Sequence, residues 1–334
     1  MIEDIAKVSK ERVKSIRELT SKTFGKDALV DFSGKELTAV PSFSTGSLAL
    51  DKTLGKCGGW PIARMIEIAG APSTGKSTLA IHAMVEMQKT GRLVGLCEPE
   101  ASFDPYYAKN LGLDLESLFL NQPMSAEEGL SIVESWIKTG DFGLIVVDSA
   151  DSLLPMSISE ADYGTSTMAL TARLISTANR RLTPLCKKYS TTFMWLNQYR
   201  SSLNPYGPNE VSSGGKSIPY YASVRVKLKN KEKVVTGSND PTGNMVEAQI
   251  IKSKVSAPHR SAMLTIEYGK GVVRAGELVD LGVDFGFISK GGAWYTINGE
   301  RIQGRAKAVE YLQENAPFAE DLEKRIKQSM VESV

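Results

Sequence analysis

"RMIEIAGAPSTGKSTLAIHAMVEMQKTG", Arg64–Gly91, decides the fold. Its first seven residues, "RMIEIAG", read as a buried strand, the pattern of a strand covered on both faces. The stretch from Lys76 onward reads as a helix. Between them "GAPSTGKS", Gly70–Ser77, matches GxxxxGK[ST] in the strand–loop–helix context that this motif requires. Gly70 and Gly75 let the backbone bend around a phosphate, and Ala71, Pro72, Ser73 and Thr74 form the arch between them. The helix N-terminus adds partial positive charge. Lys76 can reach β and γ phosphates, and the Ser77 hydroxyl can ligate Mg²⁺, with Thr78 one position on. The expected ligand is therefore ATP with Mg²⁺.

Working outward, "RLVGLCE" (92–98), "GLIVVDS" (143–149) and "TTFMWLNQ" (191–198) are further buried-strand runs, separated by helical stretches. An α/β sheet with a mostly parallel core follows. After residue 222, "SVRVKLK", "MVEAQIIKSKV" and "AMLTIEYG" succeed one another without helices, so the sheet continues with antiparallel pairing. From about residue 274 short helices and turns suggest a small C-terminal domain. Residues 2–22 read as an amphipathic helix ended near Phe24-Gly25. Its partner is either its own core or a neighbouring subunit.

A P-loop needs a second acidic group for its metal. Asp148 ends the "LIVVDS" strand, where ligands bind in open α/β sheets. Hydrolysis also needs a carboxylate to position water. "CEPEASFD" offers Glu98 and Glu100, and spacing alone does not choose between them.

Composition narrows the class. With 40 basic and 38 acidic residues the net charge is only +2, so no whole-molecule field marks a polyanion partner. Cys57, Cys97 and Cys186 are scattered without CxxC, which supports neither a disulfide scaffold nor a zinc site and fits a reducing cytoplasm. The charged start "MIEDIAKVSKERVKS" excludes a secretory apolar region, and no apolar run approaches the roughly 20 residues of a membrane span. His82 and His259 are expected to be structural.

Charge is nonetheless segregated. From Tyr163 to Asn209 there is no acidic residue. Within "MALTARLISTANRRLTPL", Leu174, Ala178, Leu182 and Leu185 face the core at helical spacing. Arg173, Ser176 and Arg180 share another face. This helix lies between two segments poor in core-forming residues, 159–168 and 200–217. Two such loops beside a basic helix suit a single-stranded nucleic-acid backbone.

The chain resembles the bacterial RecA recombinase family, phage-encoded members included, from the first helix to about residue 325. "STGSLALD", "GAPSTGKST", "EPEASFDPYYAKNLG", "VVDS", "LNQYR", "SSGGKSIPYYASVR", "KSKVSAPHR" and "GELVDLGV" carry the resemblance. It implies a RecA-type P-loop ATPase core (38–273), an N-terminal oligomerisation helix and linker (1–37), and a small C-terminal α+β domain (274–334). By resemblance Glu100 activates water, Asp104, Tyr107 and Tyr268 contact adenine, and Gln198 senses the γ-phosphate. Lys252 and Lys254 reach the ATP of a neighbouring subunit. The two segments become DNA loops, with Met168, Arg173, Ser176, Arg180, Arg200, Ser213, Gly214, Gly215 and Lys216 at matching DNA-binding positions. The activity implied is a DNA-dependent ATPase that forms filaments on single-stranded DNA and performs strand exchange with homologous duplex DNA, with mediator or single-strand-binding proteins as further partners.

The departures are specific. The second loop is about one residue shorter than usual and carries Pro205 and Pro208. Lys216 replaces an asparagine, Pro219 a lysine, and Tyr220 stands where phenylalanine is common. Glu98 stands where an aspartate is usual. The stretch ending "KRIKQSMVESV" lacks an acidic tail, which leads us to expect weaker autoinhibition of DNA binding. Phage or divergent bacterial origin both fit. Two rival readings are a ring-forming helicase of the same core, distinguished by unwinding, and a nucleotide-gated filament with negligible turnover, against which Glu100 argues.

Overall fold

The computed structural model describes residues 10–25, 28–29, 40–159, 168–201, 210–212, 215–235 and 240–332. In chain order, α1 (Lys10–Phe24) precedes β1 (Ser42–Phe43), α2 (Leu48–Thr53) and β2 (Trp60–Pro61). Then β3 (Met65–Gly70) enters the P-loop and α3 (Lys76–Gln88) leaves it. There follow β4 (Leu93–Cys97), α4 (Pro105–Asn110), β5 (Leu118–Asn121), α5 (Ala126–Thr139), β6 (Phe142–Val147), α6 (Met156–Ser159) and α7 (Met168–Tyr189). After β7 (Thr192–Ser201), β8 (Glu210–Ser212) and α8 (Ser217–Tyr221) come β9 (Val224–Val235), β10 (Pro241–Ser253), β11 (Ser261–Glu267) and β12 (Gly271–Val272). The C-terminal part holds α9 (Arg274–Asp284), β13 (Ser289–Gly291), β14 (Trp294–Ile297), β15 (Glu300–Gln303), α10 (Arg305–Glu314) and α11 (Ala316–Glu332).

The chain divides into residues 1–39 and 40–334. In the first unit, the expected helix is described from Lys10, so the start anticipated at residue 2 lies outside the described residues. Taken by itself, α1 leaves Val13, Ile16, Leu19 and Phe24 exposed.

In the second unit the main sheet runs β12-β11-β10-β9-β3-β7-β6-β4-β5, with β8 paired to β7. The pairings from β9 across to β5 are parallel. Those joining β9, β10, β11 and β12 are antiparallel. The switch from parallel to antiparallel follows from the connections: helical crossovers before β9, direct turns after it.

Alternation along each strand divides the core into two faces. Ile66, Ile68, Met194, Leu196, Val224 and Val226 pack with Leu79, Ala83 and Met84 of α3. Met65, Phe193 and Trp195 pack on the other face with Val133 of α5, Ile175 and Leu182 of α7, and Ile218 of α8. Side chains two residues apart share a face, so Gln198 belongs to the α3 side, while Glu67, Asn197, Tyr199 and Arg225 belong to the α7 side.

One expectation needs correction. The stretch 200–217 is not simply a loop. Arg200 and Ser201 continue β7, Glu210–Ser212 pair back on it antiparallel, and α8 begins at Ser217. Backbone pairing needs no apolar side chains, so composition did not reveal it. The strands of the expected C-terminal α+β domain form a three-stranded antiparallel sheet, β13-β14-β15. Its hairpin turns at Asn298 (φ 50°) and Gly299 (φ 83°), an Asn-Gly pair suited to a type I′ turn. A third core, including Leu278, Ile297, Leu312 and Ile326, holds this part together.

Candidate nucleotide site and nucleic-acid interface

The P-loop sits at the C-terminal end of β3, between β7 and β9. Its glycines are sterically required. A Cβ on Gly70 would lie 2.8 Å from the Leu228 carbonyl oxygen, and one on Gly75 (φ +84°) 2.5 Å from Ile266 Cδ1. Ala71, Pro72 and Ser73 form an exposed arch, and Thr74 braces it from beneath by donating its hydroxyl to the Ala71 carbonyl at 2.8 Å. Lys76 is buried and lies along this arch, donating to the carbonyls of Gly70 (3.3 Å) and Ala71 (3.0 Å). Burial lowers the pKa of its ammonium, opposed by Asp148, Asp151 and Glu100. Three carboxylates in the neighbourhood thus favour its charged form against the cost of burial.

Ser77 donates to Asp148 Oδ2 at 2.6 Å. Burial pushes Asp148 up to about 6, with the Ser77 hydrogen bond acting against it and the Glu100 charge reinforcing it. A cation shared by Ser77 and Asp148 would offset that cost. Among the described residues no three His, Cys, Asp or Glu side chains form a metal cage. The donor set therefore fits a Mg²⁺ that enters with phosphates, one hydroxyl and one carboxylate being what such sites supply.

The structure separates the two glutamates that spacing could not. Glu98 is buried, and its carboxylate accepts from the Ser102 amide (3.0 and 3.1 Å), the Ser102 hydroxyl (2.9 Å) and Gln122 Nε2 (3.0 Å). Those bonds shape the turn after β4. Glu100 is exposed and reaches over to the end of β6, accepting from Ser149 (2.8 Å) and Ser152. Gln198 pairs in register with Gly70 itself across β7 and β3.

Tyr107 and Tyr268 line a cleft of about 480 Å³ that runs from the P-loop past Ser73, Thr74 and Thr78. The Tyr107 hydroxyl lies 2.9 Å from Thr78 Oγ1. Tyr268 is half exposed and donates to Asn244 at 3.3 Å. Asp104 instead caps α4, accepting from the amides of Tyr106 (2.9 Å) and Tyr107 (3.1 Å). Sequence reasoning missed Asn244, Val246 and Ile266 in this cleft; the alternation of β10 and β11 beside Tyr268 was the available signal. It also missed Ser149 and Ser152, flagged only by the polar run after Asp148.

Lys252 and Lys254 lie elsewhere. Lys252 pairs in register with Arg225, whereas Leu228 is the β9 residue that abuts Gly70. Its ammonium donates to the carbonyls of Pro219 (2.7 Å) and Tyr220 (2.9 Å), at the end of α8. Burial lowers its pKa, and Lys254 and Arg225 lower it further. The Lys254 amide donates to Ser223 at 2.8 Å.

On the α7 face, Arg173, Ser176 and Arg180 of α7 and Lys216 at the start of α8 line one open groove together with Tyr220. Among the described residues no carboxylate pairs with Arg173 or Arg180, whereas Arg181 is held by Glu134 at 2.7 Å. The groove's floor is tied down by Asn179, which accepts from Trp195 Nε1 (3.0 Å) and donates to Ser217 (3.0 Å). Gly215 (φ +75°) approaches α7 so closely that a Cβ would lie 3.2 Å from Ala172 Cβ. Met168 opens α7 and Arg200 lies in β7, where only their backbones are described. Ser213, Gly214, Pro205 and Pro208 lie outside the described residues, as does most of 159–168.

His82 is structural as expected. Its Nε2 accepts from the Val272 amide at 3.0 Å, and burial pushes its pKa down to about 4. All three cysteines are free and buried. No helix among the described residues is long and apolar enough to cross a membrane.

A phosphate-binding loop at the switch point of a mostly parallel sheet, with an acidic strand end bonded to its serine, defines a P-loop nucleotide-binding protein. Comparison narrows the class. Residues 11–273 match the RecA N-terminal domain and residues 276–331 the RecA C-terminal domain. The chain is 40% identical to Protein RecA of Macrococcus caseolyticus over 92% of its own length and 88% of that protein's. It is 39% identical to Protein RecA of Desulforapulum autotrophicum with the same coverage. The chain belongs to the RecA family. It is accordingly a nucleotide-binding, DNA-dependent ATPase of recombination and repair that assembles on DNA as a filament of its own copies.

Proposed function

We propose that catalysis and its control divide between the two faces of the sheet. On the α3 face, Gly70–Thr78 hold the triphosphate, with Lys76 turning from the Gly70 and Ala71 carbonyls to the phosphates. Ser77 and Asp148 hold Mg²⁺, which offsets developing phosphate charge when bound. Glu100 accepts a proton from, or orients, the attacking water, and Gln198 contacts the transferred phosphate. Tyr107 and Tyr268 flank the base, with Asp104 acting through the placement of α4. Lys252 and Lys254 serve the nucleotide of the next copy, in keeping with a register that sets them away from their own P-loop.

On the α7 face, Arg173, Ser176, Arg180 and Lys216 hold the phosphates of single-stranded DNA, with Met168, Arg200, Ser213, Gly214 and Gly215 from the flanking segments. Base complementarity then selects the homologous duplex. The N-terminal part, 1–37, docks on the next copy through α1. Residues 38–273 form the ATPase core, and 274–334 are the C-terminal domain. Mediator or single-strand-binding proteins load the filament, and the reduced cysteines support a cytoplasmic setting.

The observation that carries this reading is the convergence of Lys76, Ser77, Asp148 and Glu100 at one end of the sheet, with Gln198 in register beside them. The test is ATP hydrolysis with and without single-stranded DNA, followed by strand exchange on homologous and heterologous duplexes. DNA-stimulated hydrolysis with exchange on the homologous duplex alone is expected. Unwinding without exchange, or no stimulation, overturns it.

A further inference from the structure

Strand β3 is apolar except for one residue. Glu67 in "MIEIAG" is completely buried. A carboxylate there is costly unless it is paired and hydrogen-bonded, and strand formation alone does not require it. Its two oxygens are shared between strands. Asn197 Nδ2 donates to Oε1 at 2.8 Å, and Arg225 Nε donates to Oε2. The same guanidinium sends Nη2 to the Tyr199 hydroxyl at 3.3 Å.

The partners' positions give the cluster its meaning. Asn197 and Tyr199 flank Gln198, which points to the opposite face and pairs with Gly70. Tyr199 pairs with Ser212, so it stands at the root of the outgoing stem of the 200–217 segment. Arg225 follows α8, the returning stem, and the link between them is fastened to β3 by the Ser223 amide donating to the Met65 carbonyl at 2.7 Å. Both stems therefore converge on one carboxylate, three residues before the first P-loop glycine. Arg225 is also the register partner of Lys252, whose ammonium holds the end of α8. Buried polar networks of this kind switch as units rather than deforming smoothly, because a half-satisfied arrangement is disfavoured.

We infer that Glu67 and Arg225 are a positioning pair that locks both stems of the 200–217 segment to the P-loop strand and thereby couples DNA binding to ATP hydrolysis. This rests on the reading of that segment as a DNA-binding element. Neither residue lines the P-loop cleft or the cationic groove. The pair transmits position between Gln198 on one face and the stems on the other.

The test uses the full chain with Arg225→Lys and Glu67→Gln. Lysine keeps a cation beside Glu67 but cannot fork to Tyr199, and glutamine keeps hydrogen bonding without charge. ATP hydrolysis is measured without DNA and at saturating single-stranded DNA, with thermal unfolding as the control for folding. The expected result is hydrolysis without DNA within about twofold of the unaltered protein, and a DNA-stimulated increment reduced about tenfold. Tyr199→Phe removes one hydroxyl at the outer end of the cluster and remains informative if the buried substitutions do not fold. It is expected to lower stimulation by about twofold or more. Equal losses with and without DNA would make the pair merely structural and overturn the inference, as would unaltered stimulation in Tyr199→Phe. If the unaltered protein shows no DNA stimulation, the functional reading falls as well, which separates the two failures.

Discussion

On the α3 face the proposed nucleotide site comes from one contiguous stretch, Gly70–Thr78, joined by the ends of neighbouring strands. Its tolerances are hard: methyl groups on Gly70 or Gly75 collide with the Leu228 backbone and Ile266. On the α7 face the cationic groove draws Arg173, Ser176 and Arg180 from a long helix and Lys216 from a short one some distance along the chain. For the DNA-binding role proposed above its requirements are softer, since several side chains would share a diffuse charge task. A phosphate cradle depends on backbone amides at fixed positions, so its sequence is compact and strict. A DNA backbone is gripped by summed electrostatics, so its sequence is dispersed and permissive.

The largest expected break in this contrast is Glu100→Gln. It should lower ATP hydrolysis about 10²–10⁴-fold while nucleotide binding persists, measured by steady-state hydrolysis and by fluorescent-nucleotide titration. Glu98→Gln, two residues away, should show instead as a stability loss of about 1–3 kcal/mol in denaturant unfolding, because its oxygens bond Ser102 and Gln122. Equal catalytic losses from both would dissolve the distinction.

On the softer face, Arg180→Ala should weaken single-stranded DNA binding about tenfold and reduce the slope of log affinity against log salt by about 1. Arg181→Ala, whose guanidinium already pairs with Glu134, should change affinity by less than about twofold. A reversal of that order in salt-dependent binding titrations would remove Arg180 from the interface.

The smallest effect tests the seam between the sheet and the C-terminal part. Burial pushes Glu277 up to about 7 from its ordinary 4.5, against hydrogen bonds from the Ser47 hydroxyl and the Leu48 amide. Its folded-state value lies above the unfolded one, so the folded chain binds the proton more tightly. The contribution to stability is full below about 4.5, declines as pH rises towards about 7, and levels off above that. In Glu277→Gln the fall of Tm between pH 5 and 7 should flatten; an unchanged slope would assign the pH dependence to other groups.

Particular residues show how legible the molecule was. The P-loop and Asp148 were readable because motif and strand context occupy neighbouring positions. Spacing did not separate Glu98 from Glu100, and only the family resemblance favoured Glu100, since two carboxylates on one turn differ in what folds over them: Ser102 and Gln122 for one, Ser149 and Ser152 for the other. The C-terminal domain was legible as α+β through the family resemblance alone, and its Asn298-Gly299 turn marks where β14 and β15 meet. The pairing of Glu210–Ser212 with β7 had no apolar signature to find. Glu67 passed without remark inside a strand read as buried, and its partners lie 130 and 158 residues away.

By itself the sequence determined the strand order of chemistry: where phosphate is wrapped, which segments carry cations without acids, and where helical crossovers give way to direct turns. Those features depend on local spacing and backbone preference, which the chain carries at each position. Only the tertiary structure decided which glutamate is spent on a turn, which arginine is already paired, and which buried carboxylate joins two stems. Such choices are settled by packing between segments distant in the chain, where burial and the nearest polar partner set the state of each charged group.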